Sequence, residues 1–80
     1  MSTDNDDLIY TCIDIGKYIT RLRKAKDMSM YKLSLNSGIS NSVLMRVEKG
    51  HREPKTNTLL RIIDGLGLSP AEFFKPFRNH

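Results

Sequence analysis

Residues 29–40, SMYKLSLNSGIS, contain signals for helix ends at Ser29, Gly38 and Ser40, and few folds are compatible with that spacing. A serine hydroxyl accepts a hydrogen bond from the first free amides of a helix, so Ser29 and Ser40 are expected to be N-caps. Glycine enters the left-handed conformation at the C-terminus of a helix without a steric cost, so Gly38 is expected to end the first helix. The spacing therefore predicts two short helices, 30–37 and 41–48, joined by a tight turn.

The flanking sequence predicts three more helices. An apolar stripe that recurs every three or four residues follows Asp14, which we expect to cap the first helix. A fourth helix begins at about Thr56, and a fifth has Ser69 as its N-cap and Pro70 in its first position. Since no segment predicts a strand, the expected fold class is all-α. The predicted apolar positions of the first and fourth helices are Ile15, Tyr18, Ile19, Leu22, Ala25, Leu59, Leu60, Ile62, Ile63 and Leu66.

Charge is unevenly distributed along this chain of 80 residues, a length typical of one domain. Residues 1–14 carry four aspartates and no Lys or Arg, whereas residues 15–80 carry all 13 basic residues and the other 5 of the 9 acidic ones, a net charge of +8. We interpret 1–13 as an acidic arm, 14–77 as the folded domain and 78–80 as a tail. Within the arm, LIYTCI is compatible with a helical lead-in or an extended segment. The basic domain suits a polyanionic partner, although basic side chains also serve solubility alone.

Composition argues against several classes of protein. Cys12 is the single cysteine, which precludes an intrachain disulfide and suits a reduced, cytoplasmic setting. No cluster of metal-ligand spacing, glycine-rich phosphate loop or catalytic motif is present, so we expect no metal, no cofactor and no enzymatic activity. No apolar run approaches the roughly 20 residues that span a bilayer. The acidic N-terminus is unlike a secretory signal, so we expect a cytoplasmic protein.

The predicted helix 41–48 divides into two faces. At about 100° per residue, Val43, Leu44 and Val47 fall on one half, and polar side chains, a methionine and a cation fall on the other. Asparagine pairs with adenine and arginine with guanine through two hydrogen bonds each, and a short or apolar side chain meets the thymine methyl group. This half therefore predicts a surface that reads bases in the major groove, although a solvated surface helix would show the same pattern. The expected base contacts are Asn41, Ser42, Met45 and Arg46.

Four segments, in their order and spacing, resemble the lambda-repressor/Cro-like helix-turn-helix (XRE-type) family. The resemblance implies a compact five-helix DNA-binding domain with its helix-turn-helix at about 30–48. It also implies a transcriptional regulator, with a repressor expected, that acts as a homodimer on a palindromic operator. The segments are IGKYITRLRKAKDMS (15–29), YKLSLNSGIS (31–40), VEKGHREP (47–54) and TLLRIIDGLGLSPAEFF (58–74).

Two other functions remain open within this resemblance. The antitoxin of a toxin–antitoxin pair has a similar domain and also binds a small protein partner, for which the acidic arm would be available. We favour a second interpretation of the arm, a solvated tail that limits non-specific binding to DNA. Restriction–modification controller proteins are similar in length and fold.

The resemblance also implies roles for individual residues. The helix 41–48 would be the recognition helix, and the helix before it would lie across the DNA backbone. Arg23 would pair with Glu48, which we interpret as a structural contact rather than a base contact. Two positions depart from the family: Met30 stands where many relatives have a glutamine that bonds the DNA backbone, and Ser34 replaces the usual alanine. The implied phosphate contacts are Met30, Tyr31, Lys32, Ser40, Lys49, His51, Arg52 and Lys55.

Three phenylalanines, Phe73, Phe74 and Phe77, lie in or just after the short last helix. They could all complete the core of a monomer. We favour a homodimer contact formed by Phe74 and Phe77, because the fourth helix already supplies many apolar residues. A two-fold dimer also reads two half-sites about one helical turn apart, whereas one short helix reads only a few base pairs.

Overall fold

The computed structural model describes residues 11–77, which form five α-helices and no strand. The all-α, five-helix fold expected from the sequence is confirmed. Residues 1–10 of the predicted arm and the tail 78–80 lie outside the described residues. The helices are α1 (Cys12–Ala25), α2 (Met30–Ser37), α3 (Asn41–Glu48), α4 (Thr56–Gly65) and α5 (Pro70–Phe74), followed by a 3₁₀ turn, Lys75–Phe77.

The two central helices begin and end where their caps predict. Ser29 Oγ accepts a hydrogen bond from the Lys32 amide at 3.0 Å, and Ser40 Oγ accepts one from the Val43 amide at 3.1 Å. Gly38 adopts the left-handed conformation, with φ 70° and ψ 30°, and ends α2. These local signals therefore place α2 and α3 in tandem across a short turn, as the sequence predicts.

The expected N-cap of α1 was wrong. Thr11 is the N-cap, and Asp14 is the third residue of the helix. The two residues form a capping box, in which Asp14 Oδ2 accepts from the Thr11 amide at 2.9 Å and Thr11 Oγ1 accepts from the Asp14 amide at 3.3 Å. This arrangement satisfies two free amides, whereas a cap at Asp14 would leave Thr11 unused. Cys12 and Ile13, which we had placed in the arm, thus form the first turn of α1.

A second capping box starts α5, where Ser69 and Glu72 exchange hydrogen bonds and Pro70 occupies the first position, as predicted. The hydrogen bonds from Ser69, chiefly from its backbone amide, hold the pKa of Glu72 below its ordinary value. The hydrogen bonds from Thr11 lower the pKa of Asp14 in the same way. Both carboxylates therefore favour their charged forms, which also suit the positive end of a helix dipole.

All five helices contribute to one apolar core. Two predicted core positions are exposed instead: Ala25, in the last position of α1, and Leu60, which is 42% exposed. Leu60 lies about 160° around α4 from Ile62 at 100° per residue, so its side chain points away from the centre of the buried stripe. The buried apolar residues are Ile19, Leu33, Leu44, Val47, Ile62, Ile63, Leu66 and Phe73.

Helices α2 and α4 approach closely because Gly65 has no side chain. A Cβ at Gly65 would overlap Ser37 Oγ and would lie 3.2 Å from Leu33 Cδ1. Asn36 Nδ2 also donates a hydrogen bond to Gly65 O at 3.3 Å, which satisfies a carbonyl at the end of α4. The first helix of the helix-turn-helix is thereby seated on α4.

Ser37 Oγ is buried at this contact and has no hydrogen-bond partner within residues 11–77. We expect Ser37→Ala to leave the free energy of unfolding unchanged or to raise it by up to about 1 kcal/mol, because an unpaired buried hydroxyl is removed. Ser40→Ala is the matched control and is expected to lower it by about 1 kcal/mol, because a helix cap is lost. Urea unfolding of both variants measures the difference, and an equal loss in the two would contradict the expectation.

An aromatic cluster joins α5 to α1, two helices that are far apart in the sequence. Tyr18 OH donates a hydrogen bond to Phe73 O at 2.7 Å. The Tyr18 ring centroid lies 4.9 Å from that of Phe73 and 5.0 Å from that of Phe77. Burial raises the pKa of the Tyr18 hydroxyl, so the group keeps its proton, and can donate it, to a higher pH than an exposed tyrosine does.

Candidate nucleic-acid interface

Helix α3 presents one polar face to solvent and buries the other. Leu44 and Val47 are fully buried, and Val43 is half-buried against the core. The division predicted from the 100° periodicity is therefore present in the structure. The four side chains that we expected to contact bases are all exposed: Asn41, Ser42, Met45 and Arg46.

The buried face of α3 ends in an ion pair. Arg23 Nε lies 2.7 Å from Glu48 Oε2, and Arg23 Nη2 lies 3.0 Å from Glu48 Oε1, so the guanidinium holds the carboxylate with two parallel hydrogen bonds. The side chain of Glu48 is only 4% exposed. Arg23 Nη1 also donates to Met28 O at 2.9 Å. This geometry keeps the Glu48 carboxylate away from the exposed face of α3.

The backbone of α1 lies directly against the end of α3. A Cβ at Gly16 would overlap Val47 O and would lie 2.6 Å from Glu48 O. One turn further along α1, Thr20 Oγ1 lies 3.0 Å from Glu48 Oε1. Neither residue was expected from the sequence to contact α3. The one available signal was their spacing, since a glycine followed four residues later by threonine places two small side chains on one helix face.

The first turn of α1 contacts the loop 49–55 that follows α3. Cys12 Sγ donates a hydrogen bond to Gly50 O at 3.2 Å. A Cβ at Gly50, whose φ is 75°, would lie 2.8 Å from the Cα of Ile13. The lone cysteine is therefore part of the contact that fixes this loop.

The surface of α3 and the following loop is basic. Between residues 41 and 55 the acidic residues are Glu48, which is buried and paired, and Glu53. No salt bridge within residues 11–77 neutralises the basic side chains of this segment. An uncompensated positive surface of this kind attracts a polyanion. The exposed basic side chains are Arg46, Lys49, Arg52 and Lys55, with His51 among them.

The predicted phosphate contacts at the start of α2 differ from one another. Tyr31 is 66% exposed, and Lys32 is also exposed. The side chain of Met30 is partly buried and packs against the core, unlike those of Tyr31 and Lys32. The hydroxyl of Ser40 already accepts the hydrogen bond that caps α3, and its proton is free to be donated.

The two phenylalanines expected at a dimer contact, Phe74 and Phe77, differ in exposure. Phe74 is 39% exposed, and its ring meets that of Phe73 edge-on at 5.0 Å. Phe77 is half-buried beside Tyr18. The fully buried Phe73 belongs to the core of the monomer.

Within residues 11–77, no group of His, Cys, Asp and Glu side chains is arranged to hold a metal ion. The described helices are also all too short or too polar to cross a membrane.

Sequence comparison finds similarity to transcriptional regulators. The helix-turn-helix family profile matches residues 19–73. The uncharacterized HTH-type transcriptional regulator y4dJ of Sinorhizobium fredii is 32% identical over 62 residues, which cover 78% of this chain and 80% of that protein. The uncharacterized HTH-type transcriptional regulator Rv0023 of Mycobacterium tuberculosis is 34% identical over 58 residues. Those residues cover 72% of this chain but only 23% of the regulator, so the chain spans about a quarter of that relative.

Structural comparison finds similarity to restriction–modification controller proteins. The controller C.AhdI from Aeromonas hydrophila has a TM-score of 0.74 and 30% sequence identity, over 79% of this chain and 96% of that one. The wild-type controller C.Esp1396I has a TM-score of 0.80 and 22% identity, over 86% of this chain and 90% of that one, and at this identity the likeness concerns the fold alone.

Proposed function

This chain belongs to the helix-turn-helix family, and we propose that it is a sequence-specific DNA-binding regulator of transcription. The observation that carries the proposal is the exposed polar face of α3, which stands on a helix otherwise buried in the core. The major groove of B-DNA is about 12 Å wide and admits one α-helix. We therefore assign α3 as the recognition helix. Such a protein would work in the cytoplasm, beside the DNA that it regulates.

The four exposed side chains of α3 have distinct chemical capacities toward bases. The Asn41 amide donates and accepts, which suits adenine, and the Arg46 guanidinium donates twice, which suits guanine. Ser42 offers a short hydroxyl, and Met45, which is 37% exposed, offers an apolar contact to a thymine methyl group. Each two-bond pair contributes about 1–3 kcal/mol of discrimination against the wrong base.

The basic loop after α3 and the start of α2 would bind the phosphates on either side of the groove. Lys49, His51, Arg52 and Lys55 follow α3 in one exposed loop, and Tyr31 and Lys32 lie at the start of α2. Contacts to phosphates release counterions, so binding of this kind weakens steeply with salt. These side chains would supply affinity without sequence preference, which leaves the discrimination to α3.

We propose that the functional unit is a homodimer on a two-fold symmetric operator, with repression by occupancy as the simplest outcome. The partly exposed Phe74 ring supports this, because it extends the aromatic cluster of α5 to the surface. Phe77, at the edge of the same cluster, is the second residue assigned to the contact. A two-fold axis beside α5 would give two copies of α3, one for each half-site.

A restriction–modification controller protein is the second candidate. It is favoured by the likeness to C.AhdI, which extends over 96% of that protein at 30% identity. In that role the chain would control a restriction–modification system. The geometry of α3 serves both candidates equally, and the bound sequence distinguishes them by its location in the genome.

Enrichment of bound duplexes from a random DNA pool, at two salt concentrations, tests the proposal. We expect a two-fold symmetric consensus that persists at the higher salt, because base contacts by α3 add to the phosphate contacts. Arg46→Ala should weaken binding to the consensus about 5- to 150-fold and relax one position in each half-site. Lys24→Ala, which removes a charge from the last turn of α1, is the matched control and should leave the consensus unchanged.

Two results would contradict the proposal. Binding without any consensus that disappears at the higher salt would reduce the protein to a basic surface. A consensus without two-fold symmetry would retain the DNA-binding function but remove the homodimer.

A further inference from the structure

We propose that Thr20 is a positioning residue for DNA recognition, and that its hydroxyl sets where the C-terminal end of α3 lies. The inference rests on the proposed function and concerns a residue on α1 rather than on the recognition helix. Thr20 is half-buried, and the Glu48 carboxylate that it contacts belongs to the last residue of α3.

The Thr20 hydroxyl lies within hydrogen-bond distance of two acceptors, and the charge of one of them decides where its proton goes. Thr20 Oγ1 lies 2.9 Å from Gly16 O and 3.0 Å from Glu48 Oε1. Both partners are acceptors, and the hydroxyl has one proton. A carboxylate is the stronger acceptor because it is charged, so the proton is directed to Glu48. The hydroxyl thus acts between the two helices, in addition to its contact within α1.

Thr20 restrains the carboxylate in a way that Arg23 alone does not. The arginine side chain is long and rotates about several bonds, whereas threonine has a single side-chain torsion between heavy atoms, stiffened by branching at Cβ. Oε1 of Glu48 receives both Arg23 Nη2 and the Thr20 hydroxyl, so this oxygen is fixed from two directions. Gly16 brings the backbone of α1 close enough for the short threonine side chain to reach it.

A small displacement at Glu48 is transmitted to the base-reading side chains. Arg46 lies two residues before Glu48 in α3, a distance of about 3 Å along the axis at 1.5 Å per residue. A hydrogen bond to a base edge requires donor and acceptor to lie within roughly 2.7–3.2 Å, so a shift of the helix end weakens it. Long lysine and arginine side chains adjust to phosphates over a wider range. We therefore expect loss of the Thr20 hydroxyl to reduce discrimination between sequences more than it reduces affinity for DNA in general.

Dissociation constants for a consensus duplex and a scrambled duplex, at one salt concentration, test the inference. Thr20→Val removes the hydroxyl and keeps the shape, and we expect it to lower the ratio of the two affinities at least about fivefold, as when one base contact is lost. Thr20→Ser restores the hydroxyl and should keep the wild-type ratio. Thr58→Val on α4 is the matched control, since Thr58 forms no side-chain hydrogen bond within residues 11–77. All variants are measured at a temperature where thermal unfolding shows them folded.

The possible outcomes separate a positioning role from a structural one. A Thr20→Val protein that melts earlier but keeps the wild-type ratio would overturn the inference, because Thr20 would then stabilise the fold alone. A wild-type protein that does not distinguish the two duplexes would overturn the proposed function, and this result is read from the wild type without any variant. If Thr20→Val does not fold, Thr20→Ala replaces it in the same comparison, because it removes the hydroxyl without adding a methyl group next to the carboxylate.

Discussion

Glu48→Ala is expected to lower the free energy of unfolding by about 3–5 kcal/mol, because it leaves a largely buried guanidinium without its counterion. Arg23 is 12% exposed in its side chain and directs Nε and Nη2 at the Glu48 carboxylate. The substitution also leaves the Thr20 hydroxyl with the Gly16 carbonyl as its remaining partner. A domain of this size has few kcal/mol to lose, so most of the variant should be unfolded well below the wild-type melting temperature.

Glu53→Ala is the control for the loss of a negative charge. Glu53 is exposed in the loop after α3, and its replacement is expected to change the free energy of unfolding by less than about 0.5 kcal/mol. Urea unfolding compares the two variants, with the same dependence of the unfolding free energy on urea concentration in both. Equal stability of Glu48→Ala and Glu53→Ala would show that the Arg23 pair contributes no more than an exposed ion pair.

Gly16→Ala is expected to lower the free energy of unfolding by about 1–3 kcal/mol or more, because the added methyl group overlaps backbone atoms that cannot rotate away. Those atoms are Val47 O and Glu48 O, the latter 2.6 Å from the new Cβ. The expectation is opposite in sign to the usual effect, since alanine in a helix interior is more stable than glycine by roughly 0.5–1 kcal/mol. The sign of the change in the free energy of unfolding therefore shows whether close packing of α1 on α3 or helix propensity dominates.

Thermal and urea unfolding of Gly16→Ala are compared with those of Lys17→Ala. The neighbouring Lys17 side chain is exposed, so its replacement leaves the contact with α3 intact. A Gly16→Ala protein more stable than the wild type would refute the close approach of α1 to α3. A loss confined to Gly16→Ala would support it.

Local signals predicted α2 and α3 to the residue, because their caps act over three or four residues and leave little choice. The N-terminus of α1 was harder, since Thr11 and Asp14 are both favourable caps. They are in fact the two halves of one capping box, in which Thr11 is the N-cap and Asp14 is the third residue of the helix. The spacing TCID, with an acidic residue three positions after threonine, carried the information.

The exposed face of α3 was predictable because it follows from periodicity alone. The contacts that Gly16 and Thr20 make with that helix were not, because both residues lie more than 25 residues from Glu48 in the sequence. The Arg23–Glu48 pair, which the family resemblance implied, is present in the structure. The distance at which two helices cross depends on which small residues happen to face each other. The exposure of Leu60 depends in the same way on the neighbouring helices rather than on local sequence.

Helix α1 is shared by two contacts that face in opposite directions. Gly16 and Thr20 lie about 40° apart on its surface and contact α3, whereas Tyr18 lies about 200° from Gly16 and contacts α5. In the dimer that we propose, a shift of α5 at the two-fold axis would reach α3 through this one rigid element. Thermodynamic linkage then makes the effect reciprocal: the factor by which association of two chains strengthens operator binding equals the factor by which the operator strengthens association.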